Sequence, residues 1–189
     1  EQDGFWGFID WTEGLDKQCG VQGVYIYCAK RVKKIAEVLG DEEEVSRLSE
    51  EIRLKTEASW KYLYDEKQGL FVSGKERQVN YANQVWMILA EDTCSEILDR
   101  VIALKPEKGM VSPYMNHHFV EALLFTGKKE QAMDYMKYYW GGMIGHGADT
   151  FWELYNPENP AESPYGSSIV NSYCHAWSCT PTYLLRKYF

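Results

Sequence analysis

The sequence has no run of about 18 apolar residues, so nothing in it reads as a membrane span. It has no cationic surplus either. Lys and Arg number 20 against 28 Asp and Glu, a net charge of −8. Phosphate-backbone binding and polybasic membrane contact both need a Lys/Arg footprint, so neither nucleic acid nor a membrane is expected as a partner. The five cysteines, Cys19, Cys28, Cys94, Cys174 and Cys179, are odd in number, irregularly spaced and free of any CxxC pair. They read as small buried hydrophobes, not as a disulfide framework or a zinc site. There is no Gly-rich phosphate loop, no GxSxG elbow and no 34-residue repeat, and no cofactor is expected. No signal-peptide pattern opens the chain, and Glu1 in place of Met reads as an internal cut, which leaves the compartment open.

What is present is ordinary in bulk and unusual in one respect. At 189 residues the chain reads as one domain, long enough to bury a core without staples. Hydrophobic residues at 45% and charged residues at 25% exclude a disordered or collagen-like chain. The aromatic content is high: 7 Trp, 14 Tyr and 7 Phe, 15% of the chain. A surplus of Trp and Tyr suits a site that needs flat apolar faces with polar tips, as sugar and peptide sites do.

The periodicity is helical. Val21, Val24, Tyr25, Cys28, Val32, Ile35 and Leu39 recur at three- and four-residue steps, which predicts a helix over about 17–39. Gly40 is its stop, and Asp41 caps a second helix that Glu42–Glu44 favour at its positive end. Residues 65–75 read as a turn with at most a short extended piece. Helices are expected at about 80–91, 94–105, 114–125 and 128–140. Residues 141–168, dense in Gly, Pro and Asn, read as a long loop. Helix is expected again in IVNSYCHAWSC and PTYLLRKYF, with a joint at Pro181. Seven or eight helices in pairs of similar length, joined by short turns, make an all-α fold of helical hairpins. The loops over 1–16 and 141–168 exceed the usual connection length, which marks them as functional candidates.

Loop 141–168 holds Asp149, Glu153, Glu158 and Glu162, with Phe151, Trp152 and Tyr155 around Glu153. A carboxylate among aromatic rings loses solvation and suits proton transfer, although a lone loop acid is more often simply solvated. Asp10, Trp11, Glu13 and Asp16 form a second group. Indole faces stack on the C–H face of a sugar and carboxylates accept its hydroxyl protons, while the plainer reading tucks Phe5, Trp6, Phe8 and Trp11 into a helical core. His175 reads as a core or capping histidine on a helix near Trp177. His117, His118 and Glu121 have helical metal-pair spacing but no obvious further ligand, so no metal site is expected.

FIDW (8–11) with GLDK (14–17), ANQVW (82–86), YWGGMIGHGADTFWELYNPENPAESPYG (139–166) and NSYCHAWSCTPTYLL (171–185) together resemble the later part of the catalytic domain of bacterial α-L-rhamnosidases, glycoside hydrolase family 78. ADTFWE and the CHAW–TP block are the most specific parts. The resemblance implies an (α/α)6 toroid of six helical hairpins, of which this chain is the C-terminal half or somewhat more. It implies hydrolysis of terminal α-L-rhamnosides with inversion, by two carboxyl groups on opposite faces of the sugar. It assigns the general base to Glu153, the sugar pocket to His175, Trp152 and Asp10, and a pocket wall to Trp11. The substrate partner it implies is an L-rhamnose-containing glycoside or polysaccharide.

One departure is large: nothing in residues 1–17 matches the family's general-acid segment, so the acid is expected from outside this chain. Too few hairpins for a closed toroid would leave helix faces open. At about 25 cal/mol per Å2, several hundred Å2 exposed costs several kcal/mol, so self-association through open barrel edges is expected. Two readings stand beside the rhamnosidase: a non-catalytic helical carbohydrate-binding or scaffold module, and another (α/α)6 glycosidase.

Overall fold

The structure, a computed structural model, describes residues 7–91 and 95–189; Phe5, Trp6 and Cys94 lie outside the described residues. Among the described residues there are seven α-helices and one small hairpin: α1 (Gln18–Leu39), α2 (Glu42–Tyr62), β1 (Tyr64–Asp65), β2 (Leu70–Phe71), α3 (Tyr81–Glu91), α4 (Ser95–Leu104), α5 (Pro113–Phe125), α6 (Lys129–Gly145) and α7 (Thr180–Tyr188). No helix among them is long and apolar enough to cross a membrane. They divide into two compact units. The first holds the described residues up to Ile9 together with Gly14–Lys108, and the second holds Asp10–Glu13 together with Gly109–Phe189.

In the first unit α1 packs along both α2 and α3, and α3 pairs with α4. Asp41 caps α2 by accepting the Glu44 N–H at 3.0 Å, and Glu42, Glu43 and Glu44 sit on its positive end. The apolar stripe that marks α1 as a helix is not its buried face. Val21, Tyr25, Val32, Ile35 and Leu39 are exposed, and the buried line is Cys19, Gly20, Gly23, Ile26, Ala29 and Ala36. The physical reason is distance. A Cβ at Gly23 would lie 2.8 Å from the backbone carbon of Trp86, so the small-residue line lets α1 and α3 approach more closely than a Val/Tyr line could. Periodicity located the stripe but could not say which of two stripes faces inward.

The ANQVW segment supplies the rest of this core. Ala82, Val85 and Trp86 are buried. Gln84 acts as a side-chain strand: its Oε1 accepts the Phe71 N–H at 2.8 Å and its Nε2 donates to the Phe71 carbonyl at 2.7 Å. That clamp holds the hairpin β1–β2, paired Tyr64 to Phe71 and Asp65 to Leu70, against α3. Trp60, Tyr64 and Phe71 close over it with ring centroids 4.6–5.2 Å apart.

In the second unit α5 and α6 form a hairpin, and α7 returns to α5. Ser112 caps α5 by accepting the Met115 N–H at 3.2 Å, and Pro113 starts it. Helix α6 runs through Gly141 and Gly142 to Gly145, five residues beyond its expected end, with Met136, Tyr139, Trp140 and Met143 turned inward. IVNSYCHAWSC is not helical. It has 3-10 turns at Ser168–Val170 and Ala176–Ser178, with His175 extended between them. The reason is backbone pairing to a neighbouring stretch, described below. The cysteines also differ from expectation: among the described residues Cys19 is buried, while Cys28, Cys174 and Cys179 are exposed.

Gly23→Ala is expected to destabilise the α1–α3 packing by about 1–3 kcal/mol, as overpacking does. Urea unfolding followed by far-UV circular dichroism measures it; an unchanged midpoint would show that α1 and α3 have room to part.

Candidate active site

Residues 10–13 are fastened to the start of α5. The Asp10 carboxylate is buried, and its Oδ2 accepts the Val111 N–H at 2.7 Å and the Thr12 hydroxyl at 3.0 Å. Its Oδ1 accepts the Ser112 N–H at 2.9 Å, and Thr12 Oγ1 accepts the Gly109 N–H at 3.1 Å. A carboxylate over the unpaired amides of a helix start is a favourable charge arrangement. The anchor leaves the next residue, Trp11, edge-on to Trp177 at 5.0 Å and to Tyr165 at 5.9 Å between ring centroids.

Glu153 is set by two extended stretches. The Glu153 N–H donates to the Ser172 carbonyl at 2.8 Å, and the His175 N–H donates to the Phe151 carbonyl at 2.7 Å. The Thr150 hydroxyl donates to the Tyr173 carbonyl. Trp177 Nε1 donates to the Glu153 carbonyl at 2.8 Å. Immediately after Glu153, Leu154 and Tyr155 are buried, and the Tyr139 hydroxyl donates to the Tyr155 carbonyl at 2.8 Å. A Cβ at Gly142 would lie 2.5 Å from the Tyr155 hydroxyl oxygen, so glycine there lets the Tyr155 ring lie on α6.

The carboxylate itself is only 7% exposed, yet both oxygens are satisfied. Oε2 accepts the Ser172 N–H at 2.7 Å and Oε1 accepts the Tyr165 hydroxyl at 2.6 Å. His175 Nε2 stands 4.0 Å from Oε1, a gap that a water or a hydroxyl can bridge. The His175 ring lies 4.4 Å from the Trp177 ring. Its buried Nδ1 has no hydrogen-bond partner among the described residues. The bond to Glu153, with burial second, pushes the Tyr165 phenol up from its ordinary value, so Tyr165 donates as the neutral group.

The structure therefore brings Trp11, Glu153 and His175 into one cluster with Trp177. It adds Tyr165 and the Ser172 amide, which sequence reasoning did not single out. Asp10 belongs to the cluster through its backbone: its carboxylate faces the Val111 and Ser112 amides just before α5, not Glu153. Trp152 points elsewhere, as alternation along an extended stretch requires. Its ring packs on Tyr173 at 5.3 Å and Tyr155 at 6.1 Å. No local pattern announces Tyr165, which follows Pro164 in a polar turn, where its N–H donates to Ser163 Oγ at 3.1 Å.

A second titratable group lies between α5 and α7. His117, His118 and Glu121 bring ligand-type atoms within 4.8 Å of one another. Lys187 Nζ occupies Glu121 Oε1 at 2.6 Å, and the imidazoles each stand 3.8 Å from Oε2. His117 Nδ1 lies 3.1 Å from Thr180 Oγ1. The Lys187 ammonium on Glu121 ties α7 to α5.

A carboxylate held among indoles and a histidine, on a framework of helical hairpins, defines a six-hairpin glycosidase domain. Residues 3–189 match the family model described as the bacterial alpha-L-rhamnosidase 6 hairpin glycosidase domain, and the chain belongs to that family. It is similar to a rhamnosidase from Klebsiella oxytoca with rhamnose bound, with 43% identity and a TM-score of 0.92. The match covers 100% of this chain and 37% of that enzyme, so the chain spans well under half the length of this relative. A GH78 family rhamnosidase of Bacillus sp. GL1 shares the fold at 23% identity and a TM-score of 0.77, over 96% of this chain and 20% of its own. No match is found among the curated proteins.

The α5–α7 tie should weaken in acid. Burial, then the charge of His118, pushes the His117 imidazole down to about 4. Burial alone would push the Glu121 carboxyl up, but His118 and Lys187 hold it down at about 2. Both folded values lie below the unfolded ones, so the unfolded state binds more protons and stability rises with pH. The contribution is complete above about pH 6.5 and is lost as pH falls through 4 towards 2. Thermal unfolding from pH 7 to pH 3 measures it. His117→Asn should remove the part between pH 6.5 and 4, and an identical pH dependence in that variant would exclude this source.

Proposed function

We propose that the chain supplies the general-base side of a cleft that hydrolyses terminal α-L-rhamnosides with inversion. The observation that carries the reading is the convergence of Tyr165, Ser172 and His175 on the buried Glu153, with Trp11 and Trp177 beside it. The rhamnose bound in the similar Klebsiella oxytoca enzyme names the sugar.

On this reading each group has one task. A rhamnose ring rests its C–H face on the indoles, and His175 offers a ring nitrogen to a sugar hydroxyl. Glu153 Oε1 takes a proton from a water as that water's oxygen attacks the anomeric carbon on the face away from the leaving group. The bond to the glycosidic oxygen breaks, and a general acid from outside these 189 residues protonates the departing oxygen. Asp10 serves by holding Trp11. The reading also places the outward stripe of α1 against a further helical surface; without one, two copies cover each other's stripes.

In the complete gene product, Glu153→Gln should lower hydrolysis of 4-nitrophenyl α-L-rhamnoside by about 10^2–10^4-fold and leave L-rhamnose binding in place. Unchanged turnover would remove Glu153 from the mechanism, and loss of neither binding nor turnover in a Trp11→Ala variant would remove the wall. A chain that binds L-rhamnose with no hydrolysis in any form would favour a binding module. The isolated 189-residue chain should elute above monomer size, and Val32→Glu with Ile35→Glu should return it towards the monomer. A single monomer peak for the unaltered chain would show that the stripe tolerates water.

A further inference from the structure

We propose that Tyr165 is a positioning residue for the general base: its hydroxyl, donating to Glu153 Oε1 at 2.6 Å, fixes the orientation in which the carboxylate meets the attacking water. The inference rests on the rhamnoside-hydrolase reading and deepens it.

A glutamate carboxylate turns easily about its last torsion, which is broad and nearly two-fold. Glu153 cannot turn, because each oxygen has its own donor on a different segment. Oε2 has the Ser172 amide at 2.7 Å, and Oε1 has the Tyr165 phenol. With one lone pair of Oε1 engaged by Tyr165, the other remains for a proton, and His175 Nε2 stands 4.0 Å from the same oxygen. Without the phenol, only the amide would orient the group, and rotation would carry Oε1 away from the water. A misplaced base costs rate with no loss of ground-state binding.

The phenol is itself held. The Tyr165 N–H donates to Ser163 Oγ, and the Ser163 hydroxyl donates to Asn171 Oδ1 at 2.7 Å. Asn171 Nδ2 donates to the Glu162 carbonyl at 2.9 Å. On its other side the ring meets Trp11 edge-on at 5.9 Å. Tyr165 therefore links the wall on which the sugar rests to the carboxylate that activates the water. A ring lying against Trp11 limits how far Tyr165 can move. The phenol keeps its proton throughout, since its bond to Glu153 raises it above its ordinary value.

The test is a cycle of Tyr165→Phe, Glu153→Gln and the double variant in the complete gene product. Tyr165→Phe removes one oxygen and keeps the ring. It should lower kcat on 4-nitrophenyl α-L-rhamnoside by about ten- to a hundredfold, as loss of a hydrogen bond to a charged group does, with KM within about twofold. In the Glu153→Gln background the same change should add nothing, because Tyr165 acts through Glu153. An unchanged kcat, a loss carried by KM, or losses that multiply in the double variant would each overturn the proposal. If Glu153→Gln itself turns over normally, the rhamnosidase reading fails instead. The contact is also readable without turnover: alkaline titration of the Tyr165 phenol by NMR should move down towards the ordinary value in Glu153→Gln. No movement would overturn the proposal whatever the enzyme hydrolyses.

Discussion

The site depends on one short piece of backbone pairing, between residues 151–153 and 172–175. Glu153 bonds through its main chain to Ser172, Phe151 to His175, and the Ser172 amide then reaches the Glu153 side chain. Two irregular segments, about twenty residues apart, thereby fix each other. The pairing holds residues 151–153 extended, so Trp152 turns to Tyr173 while the next side chain, Glu153, turns to the cluster. It also explains why a segment with helical periodicity is extended. Two of the amides that a helix would have used internally, those of Ser172 and His175, donate to the partner stretch instead.

Much of the architecture was legible because helices announce themselves. Stops, caps and three-four periodicity placed α1 to α5 within a few residues and gave helical hairpins, while the six-hairpin class came from the family resemblance. What remained hidden is instructive. For α1 the apolar stripe was visible, but the buried side is the one with glycine and alanine, because α3 approaches within the width of a Cβ. For α6 two glycines looked like a stop, yet Gly142 continues the helix and clears space for Tyr155. Local sequence reports propensity, while these choices are made by a partner distant in the chain.

Around Glu153 the structure gathers side chains that its sequence neighbours did not announce. An aromatic setting for this carboxylate was expected from Phe151, Trp152 and Tyr155. The rings nearest it are Tyr165, Trp177 and His175, with Trp11 packed on the first two. Sequence neighbours of a residue in an extended stretch point away from it, so the flanking rings were the least suited to line its surroundings. Tyr165 reaches Glu153 across a twelve-residue excursion closed by Asn, Ser and Glu side chains, a geometry no spacing rule encodes.

Asp10 is the feature with the longest reach. One carboxylate covers the Val111 and Ser112 amides that lead into α5 and, through the next residue, sets an indole edge-on to Trp177. Fraying of that helix end and displacement of the aromatic wall are therefore a single event. The seating of Trp11 against Trp177 and Tyr165 becomes a gauge of how well a helix terminus is closed, and sequence drift near residue 112 can shift rings that it never touches.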